Sequence, residues 1–451
     1  MVRDILRDSI VKEAIVNDPR RPNAVNLQVQ GRDTAVREAS LRSRFVQTRS
    51  RSVNIVKPLT EEDCCVQSMP DASPVKWHLA HTTWFFETFV LEKFEDDFRP
   101  FLPAFRVLFN SYYNGVGEKH PRAQRGLLTR PPLHEIMLYR KKVNERMQRL
   151  FEYCGEDASF FERVELGLQH EQQHQELILT DIKHLLSLNP LEPAYRDLDN
   201  PHAEECGGLQ WLSIDGGLVP IGHEGTSFSF DNETPRHNHY LDAYCLASRL
   251  VSNGEYLQFI MNGGYHDPGL WLSEGWDWLQ AGGIAHPLYW ECNDDGWSEF
   301  TLGGRRPLDL ALPAVHLSYF EADAYARWAG ARLPSEEEWE HAALMHAVED
   351  DPMRTDQLHP SAAKGPGLQQ MFGEAWQWTR SSYAAYPGYR WPQGAIGEYN
   401  GKFMVNQQVL RGSSCVTPGG HGRLTYRNFF PPSARWQFSG IRLAKDGPGA
   451  F

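Results

Sequence analysis

Two histidines four residues apart, His170 and His174 in QHEQQH, carry the strongest chemical signal in this sequence. On a helix, that spacing sets two imidazoles on one face about a turn apart, where they can chelate one metal ion. The run His170-Glu171-Gln172-Gln173-His174 also fits the HExxH pattern of a zinc protease, which makes Glu171 a base and requires a third ligand downstream. A blander reading is a solvated helix face, because Gln169, Glu171, Gln172, Gln173, Gln175 and Glu176 surround the pair. A further histidine shifts the balance. His81 sits at helical spacing from Trp77, Trp84 and Phe85, so its ring points where apolar side chains point, and a buried imidazole needs a partner. That partner is a backbone carbonyl or a metal, and His78, three residues earlier, competes for the role. Helical bundles build metal sites from facing helices. Three neutral imidazoles suit zinc, iron, copper or nickel, and affinity alone does not choose among them.

The elements that must position these residues read as long helices. SPVKWHLAHTTWFFETFVLEKF places Ser73 as N-cap and Pro74 at the first helical position, then repeats apolar residues every three to four positions. The stretches 133–154 and 158–186 repeat the pattern, the second ending before Asn189-Pro190. With a helix near 36–66 they predict a four-helix bundle over 36–188. Residues 1–35 read as an N-terminal arm. A Pro-, Asp- and Asn-rich linker spans 189–206, and 207–451 reads as a loop-rich α+β domain. Its helices open at capping boxes, Ser252 with Glu255, Ser318 with Glu321 and Ser335 with Glu338.

The 451 residues carry a net charge of −13, which argues against a nucleic-acid surface. No signal peptide and no apolar run of about 18 residues is evident, so neither export nor membrane insertion is expected. Seven cysteines, an odd number without a CxxC pair, predict reduced thiols in the cytoplasm. Association into a homo-oligomer is left open.

After residue 40 the chain resembles the ergothioneine-biosynthesis sulfoxide synthases, also called hercynine oxygenases. LAH and QHEQQH match a DinB-like bundle, and FDNETPRH, AYARWAGARLPSEEEWE, GEAWQWT, LRGSSC and FSGIRLA match a formylglycine-generating-enzyme (sulfatase-modifying factor, C-type-lectin-like) domain. The resemblance implies Fe(II) held by His81, His170 and His174, with hercynine, a thiol and O2 as substrates and a sulfoxide at the imidazole C2 as product. It implies catalytic roles for Tyr112 and Tyr113, whose phenols would steer the reaction from thiol oxidation to C–S bond formation. Arg122 and Arg125 match an RxxR that grips the thiol substrate's carboxylate. Asn428, Phe429 and Phe430, together with Gln173, match the betaine pocket, where aromatic faces hold a quaternary ammonium. Members that take γ-glutamylcysteine have Trp-Asp in place of Phe429-Phe430, so free L-cysteine is the expected thiol.

Three alternatives stand beside this. Selenoneine synthase shares the build and joins a selenosugar to hercynine. A formylglycine-type oxidase needs paired cysteines, of which only Cys415 lies in a suggestive loop. A binding module without turnover is the third.

Overall fold

The computed structural model describes residues 24–154, 157–198, 206–346 and 357–447, with side chains from residue 40 onward. Four long helices build the first half: α1 (Ala24–Val56), α2 (Val75–Phe86), α3 (Leu133–Tyr153) and α4 (Ala158–Ser187). Every residue of α2 is buried. An apolar sequence of that kind makes the central rod of a bundle, and α2 packs on both α3 and α4 while α1 packs on α4. Gly167 sets the closest approach of α4 to α2: a Cβ there would lie 2.6 Å from the Phe86 ring. It precedes His170 by three residues, so the contact that demands glycine also draws the histidine-bearing faces together.

Two expectations need correction. Of the expected arm, residues 1–23 lie outside the described residues, and 24–35 already belong to α1. Ser73 is not the N-cap of α2, which is Pro74. The Ser73 hydroxyl instead accepts from Arg125 at 2.9 Å and its amide donates to Asp181 at 2.8 Å, so tertiary partners take the groups a cap would use. In the described part of the linker, the Tyr195 amide donates to the Leu302 carbonyl and its hydroxyl to the Ile55 carbonyl.

The second half holds short strands in four small sheets among the described residues. One joins β1 (Trp211–Ile214), β4 (Tyr244–Ala247) and β12 (Ala444–Asp446), and a hairpin pairs β2 (Gly217–Ile221) with β3 (His237–Leu241). Another is the meander of β5 (Trp290–Asn293), β6 (Gly296–Thr301) and β7 (Gly304–Pro307). The sheet that matters for function runs β10-β9-β8-β11, from β8 (Trp376–Ser382), β9 (Gln408–Arg411), β10 (Asn428–Phe430) and β11 (Ser439–Gly440). It is antiparallel except for β11 on β8, and β10 forms one edge. Helices α5 (Asn253–Met261), α7 (Tyr319–Trp328) and α8 (Glu336–Met345) open at the three expected capping boxes, whereas α6 (Ser273–Gly282) has no side-chain cap.

The two halves meet along α4. Glu176 accepts from the Trp376 indole at 2.7 Å, Ser414 at 2.6 Å and Thr417 at 2.8 Å, while Gln169 meets His421 at 2.8 Å. The polar face of α4, readable as solvated, is therefore largely covered by hydrogen-bonding groups of the second half. Among the described residues, no helix is long and apolar enough to cross a membrane.

Candidate metal centre

His81 on α2 and His170 and His174 on α4 converge, with one nitrogen of each within 4.8 Å of the others. His81 and His170 are buried, and His174 is half-buried facing a cavity. Burial drives all three imidazoles below the usual histidine range, His170 to about 3, so each is neutral at physiological pH. Neutral imidazole is the form that ligates a metal.

The hydrogen-bond pattern shows which nitrogens remain. His81 Nδ1 lies 2.6 Å from the Phe109 carbonyl, so it carries the proton and leaves a lone pair on Nε2, which is buried with no protein partner. Neither nitrogen of His170 has a protein partner. Buried polar atoms left this way are costly, and a cation at their common centre would satisfy them. The donor set therefore fits a divalent transition metal. Trp77 stacks on His81 with centroids 4.6 Å apart, and the Arg125 guanidinium lies 3.4 Å from the same indole's centroid.

His78 and Glu171, the two competing readings of this region, both lie outside the triad. His78 bonds His174 and Asp181. Glu171 is buried and pairs with Arg49 and Arg140, both at 2.8 Å, and with Ser52. Burial raises its carboxyl, but the two guanidiniums outweigh that and hold it at about 2. A carboxylate so committed is unsuited to act as a hydrolytic base, and the zinc-protease pattern is a coincidence of letters.

A cavity of about 310 Å³ opens from His170 and His174 between the halves. Tyr112, Gln173, Asn428, Phe429 and Phe430 line it. Gln173 donates to the Tyr426 hydroxyl at 2.6 Å and accepts from the Tyr399 hydroxyl. Phe429 stacks on Tyr383 at 4.1 Å, and Phe430 meets Trp436 edge-on at 5.6 Å. Tyr113 stands behind Tyr112, fully buried against Trp84 and Phe89, with the two hydroxyls 3.4 Å apart. The turn bearing these tyrosines is held across the interface: Glu398 accepts from the amides of Asn114 and Gly115, and Lys402 bonds the Tyr112 carbonyl.

The RxxR pair divides. Arg122 is exposed and lines the cavity. Arg125 is buried, donates to Ser73 and Ser111, and is not among the lining residues, so the two do not form one fork. Stacking on Trp77 has taken the second guanidinium.

A family model for the DinB superfamily matches residues 44–178, and one for the sulfatase-modifying factor enzyme 1-like domain matches 200–362 and 349–447. The hercynine oxygenase of Mycolicibacterium smegmatis is 30% identical over 440 residues, covering 90% of this chain and 99% of that one. That of Mycobacterium tuberculosis is 29% identical, covering 89% and 97%. This chain belongs to the hercynine oxygenase family. Ergothioneine biosynthesis protein 1 of Schizosaccharomyces pombe is 27% identical over 241 residues, covering 50% of this chain and 29% of that protein. A DinB bundle precedes a sulfatase-modifying-factor domain in this chain, and the reading as an oxidoreductase of the ergothioneine sulfoxide synthase type stands.

Within this hercynine oxygenase homologue, two tyrosines that hold Gln173 in the cavity wall are not among the residues expected from the sequence. Tyr399, whose ring lies 5.7 Å from that of His170, and Tyr426 both grip Gln173. Tyr426 stands two residues before Asn428 and alternates with it, a signal that was available. Tyr399 comes from an irregular segment with no period to read. Cys415 is a lone buried thiol, raised well above its ordinary range by burial, and none of the seven cysteines is paired. That is poor ground for a formylglycine-type oxidase.

Proposed function

We propose that this protein joins a thiol to C2 of the imidazole of hercynine in an Fe(II)- and O2-dependent reaction that yields a sulfoxide, with L-cysteine as the thiol. The observation that carries this reading is the set of three neutral imidazoles, two of them with partnerless buried nitrogens, at the floor of an aromatic cavity built from both halves. Ferrous iron on His81, His170 and His174 would supply thiolate activation and the reduction of O2.

The chain's own groups do the rest. Gln173, fixed between Tyr399 and Tyr426, presents its amide at the cavity wall beside His174. Asn428, Phe429 and Phe430 line the part of the cavity assigned to the betaine, where a ring face attracts a quaternary ammonium by about 0.5–2 kcal/mol. Burial pushes the Tyr112 phenol up, so it stays protonated and able to donate at the wall. Tyr113 supports it from behind. Arg122 is the cation available to the thiol substrate's carboxylate, with Arg125 backing the site through Trp77. Tyr112→Phe is expected to shift the products toward cysteine sulfinate, and Tyr113→Phe to do so less. Chromatography of the products checks this, and unchanged ratios in both variants remove the tyrosines from the chemistry.

The choice of cysteine rests on Phe430. Two carboxylates line this cavity: Glu176, whose oxygens are engaged by Trp376, Ser414 and Thr417, and Asp71, whose backbone carbonyl accepts from Arg122. A γ-glutamyl ammonium held beside Phe430 would lack the charge-assisted partner, worth about 1.5–3 kcal/mol, that an acid at this position would supply. Phe430→Asp is therefore expected to raise kcat/KM for γ-glutamylcysteine relative to cysteine by roughly ten-fold or more. An unmoved ratio refutes the pocket argument.

The deciding experiment is mass spectrometry after hercynine, Fe(II) and O2 are offered together with cysteine, γ-glutamylcysteine and a selenosugar. A hercynyl-cysteine sulfoxide is expected. A selenosugar adduct alone would reassign the donor and make the chain a selenoneine synthase, and unconsumed hercynine would overturn the function, leaving a binding module.

A further inference from the structure

The third imidazole of the centre is held differently from the other two. His174 Nδ1 lies 2.7 Å from His78 Nδ1, and His78 Nε2 lies 3.0 Å from Asp181 Oδ2. Asp181 is buried and its other contacts are all donors: the Ser73 amide at 2.8 Å on Oδ2, and the Trp436 indole Nε1–H at 3.1 Å on Oδ1. Both donors leave Asp181 in the role of acceptor, so the tautomer that completes these contacts places the His78 hydrogen on Nε2. His78 Nδ1 is then the lone pair that accepts from His174 Nδ1–H, which leaves the lone pair of His174 on Nε2.

We propose that Asp181 and His78 form a positioning relay that fixes the tautomer and ring orientation of His174, and that Trp436 anchors the relay from the second half of the chain. This rests on the three-histidine reading above. Metal-binding histidines generally donate their second ring nitrogen to a carboxylate or carbonyl, and losing that partner typically costs 10–100-fold in metal affinity. His81 uses a carbonyl for this purpose; His174 reaches a carboxylate through a second imidazole. His78 and His81 are three residues apart on α2, and Asp181 follows His174 by seven, so one pair of helix faces supplies both the triad and its support. Trp436 also lines the cavity and packs on Phe430. The wall of the proposed substrate pocket is thus hydrogen-bonded, through Asp181 and His78, to the ring that would hold the metal.

The test is anaerobic Fe(II) titration of the full-length apoprotein against a competing chelator. His78→Leu is expected to weaken Fe(II) binding by about 10–100-fold, while His78→Asn, whose side-chain oxygen falls near the position of Nδ1, restores most of it. A packing role for His78 predicts the reverse order, because leucine is the better buried filler. Trp436→Phe keeps an aromatic ring but removes the donor, and is expected to weaken binding by less than His78→Leu. The phenylalanine variant also supplies the second arm should the leucine variant not fold, which the melting curve of each apoprotein reports. Wild-type affinity in Trp436→Phe and in the foldable position-78 variants overturns the relay. The underlying reading fails separately: wild type would then bind no Fe(II), or His170→Ala would bind it as well as wild type.

Discussion

Replacing His174 with alanine is expected to abolish stoichiometric iron and with it all turnover, while the chain remains folded. The loss follows from the donor count. Among the described residues three nitrogens make up the protein contribution, and the remaining two, on His81 and His170, belong to different helices, so neither α2 nor α4 alone would keep a chelating pair. The fold should survive because His174 stands mid-helix on α4, half-buried at the cavity, where alanine has the best intrinsic helix propensity. The cost to the protein is His78, left without the donor that now faces it at 2.7 Å. Metal analysis of reconstituted protein, paired with circular dichroism, checks both halves of the expectation. One iron per chain retained in the alanine variant would remove the three-histidine centre; a variant unfolded on its own would show that the residue's structural part had been underestimated.

How much of this was legible in the sequence depends on which force set each feature. Helices α2, α3 and α4 repeat apolar residues at helical spacing; the burial of α3 follows that period, whereas α2 is buried on every side. The same reasoning says least about the polar face of α4. Gln169, Gln172, Gln173 and Glu176 allow a solvated reading because a helix-by-helix pattern assigns polar residues to water. In the fold they meet His421, Gly419, Tyr426 and Trp376 of the second half. Polar groups buried against polar groups leave no hydrophobic signature. Arg125 shows the same limit: its spacing from Arg122 suggests a shared carboxylate, but a buried guanidinium over Trp77 answers to a tertiary neighbour that spacing does not reveal. The capping boxes were secure for the opposite reason, because Ser252, Ser318 and Ser335 find their partners three residues away.

The glutamate between the two metal-facing histidines gives the largest expected effect on stability, and it separates two readings of the same five letters. Glu171 sits at the junction of α1, α3 and α4, accepting from Arg49 Nη1, Arg140 Nη2 and the Ser52 hydroxyl, with all of these side chains buried. Glu171→Gln conserves shape and removes only the charge. It leaves two guanidiniums in the core without a counter-ion, and breaking a buried pair by deleting one partner costs about 3–5 kcal/mol. Urea unfolding followed by tryptophan fluorescence should show that loss at neutral pH, with iron-binding stoichiometry intact in the folded fraction. Its pH dependence carries a sign. The folded carboxyl titrates at about 2 against an ordinary 4.5, so the ionised form stabilises fully above 4.5, and that contribution fades as pH falls toward about 2. Wild type and variant should therefore converge in stability over that interval and differ by a constant amount above it. A general base in HExxH would behave in the reverse way, with the glutamine variant folded as firmly as wild type and only its chemistry lost. A stability difference under about 1 kcal/mol, the scale of an exposed pair, would mean that Arg49 and Arg140 do not depend on Glu171, and would reopen the hydrolytic reading.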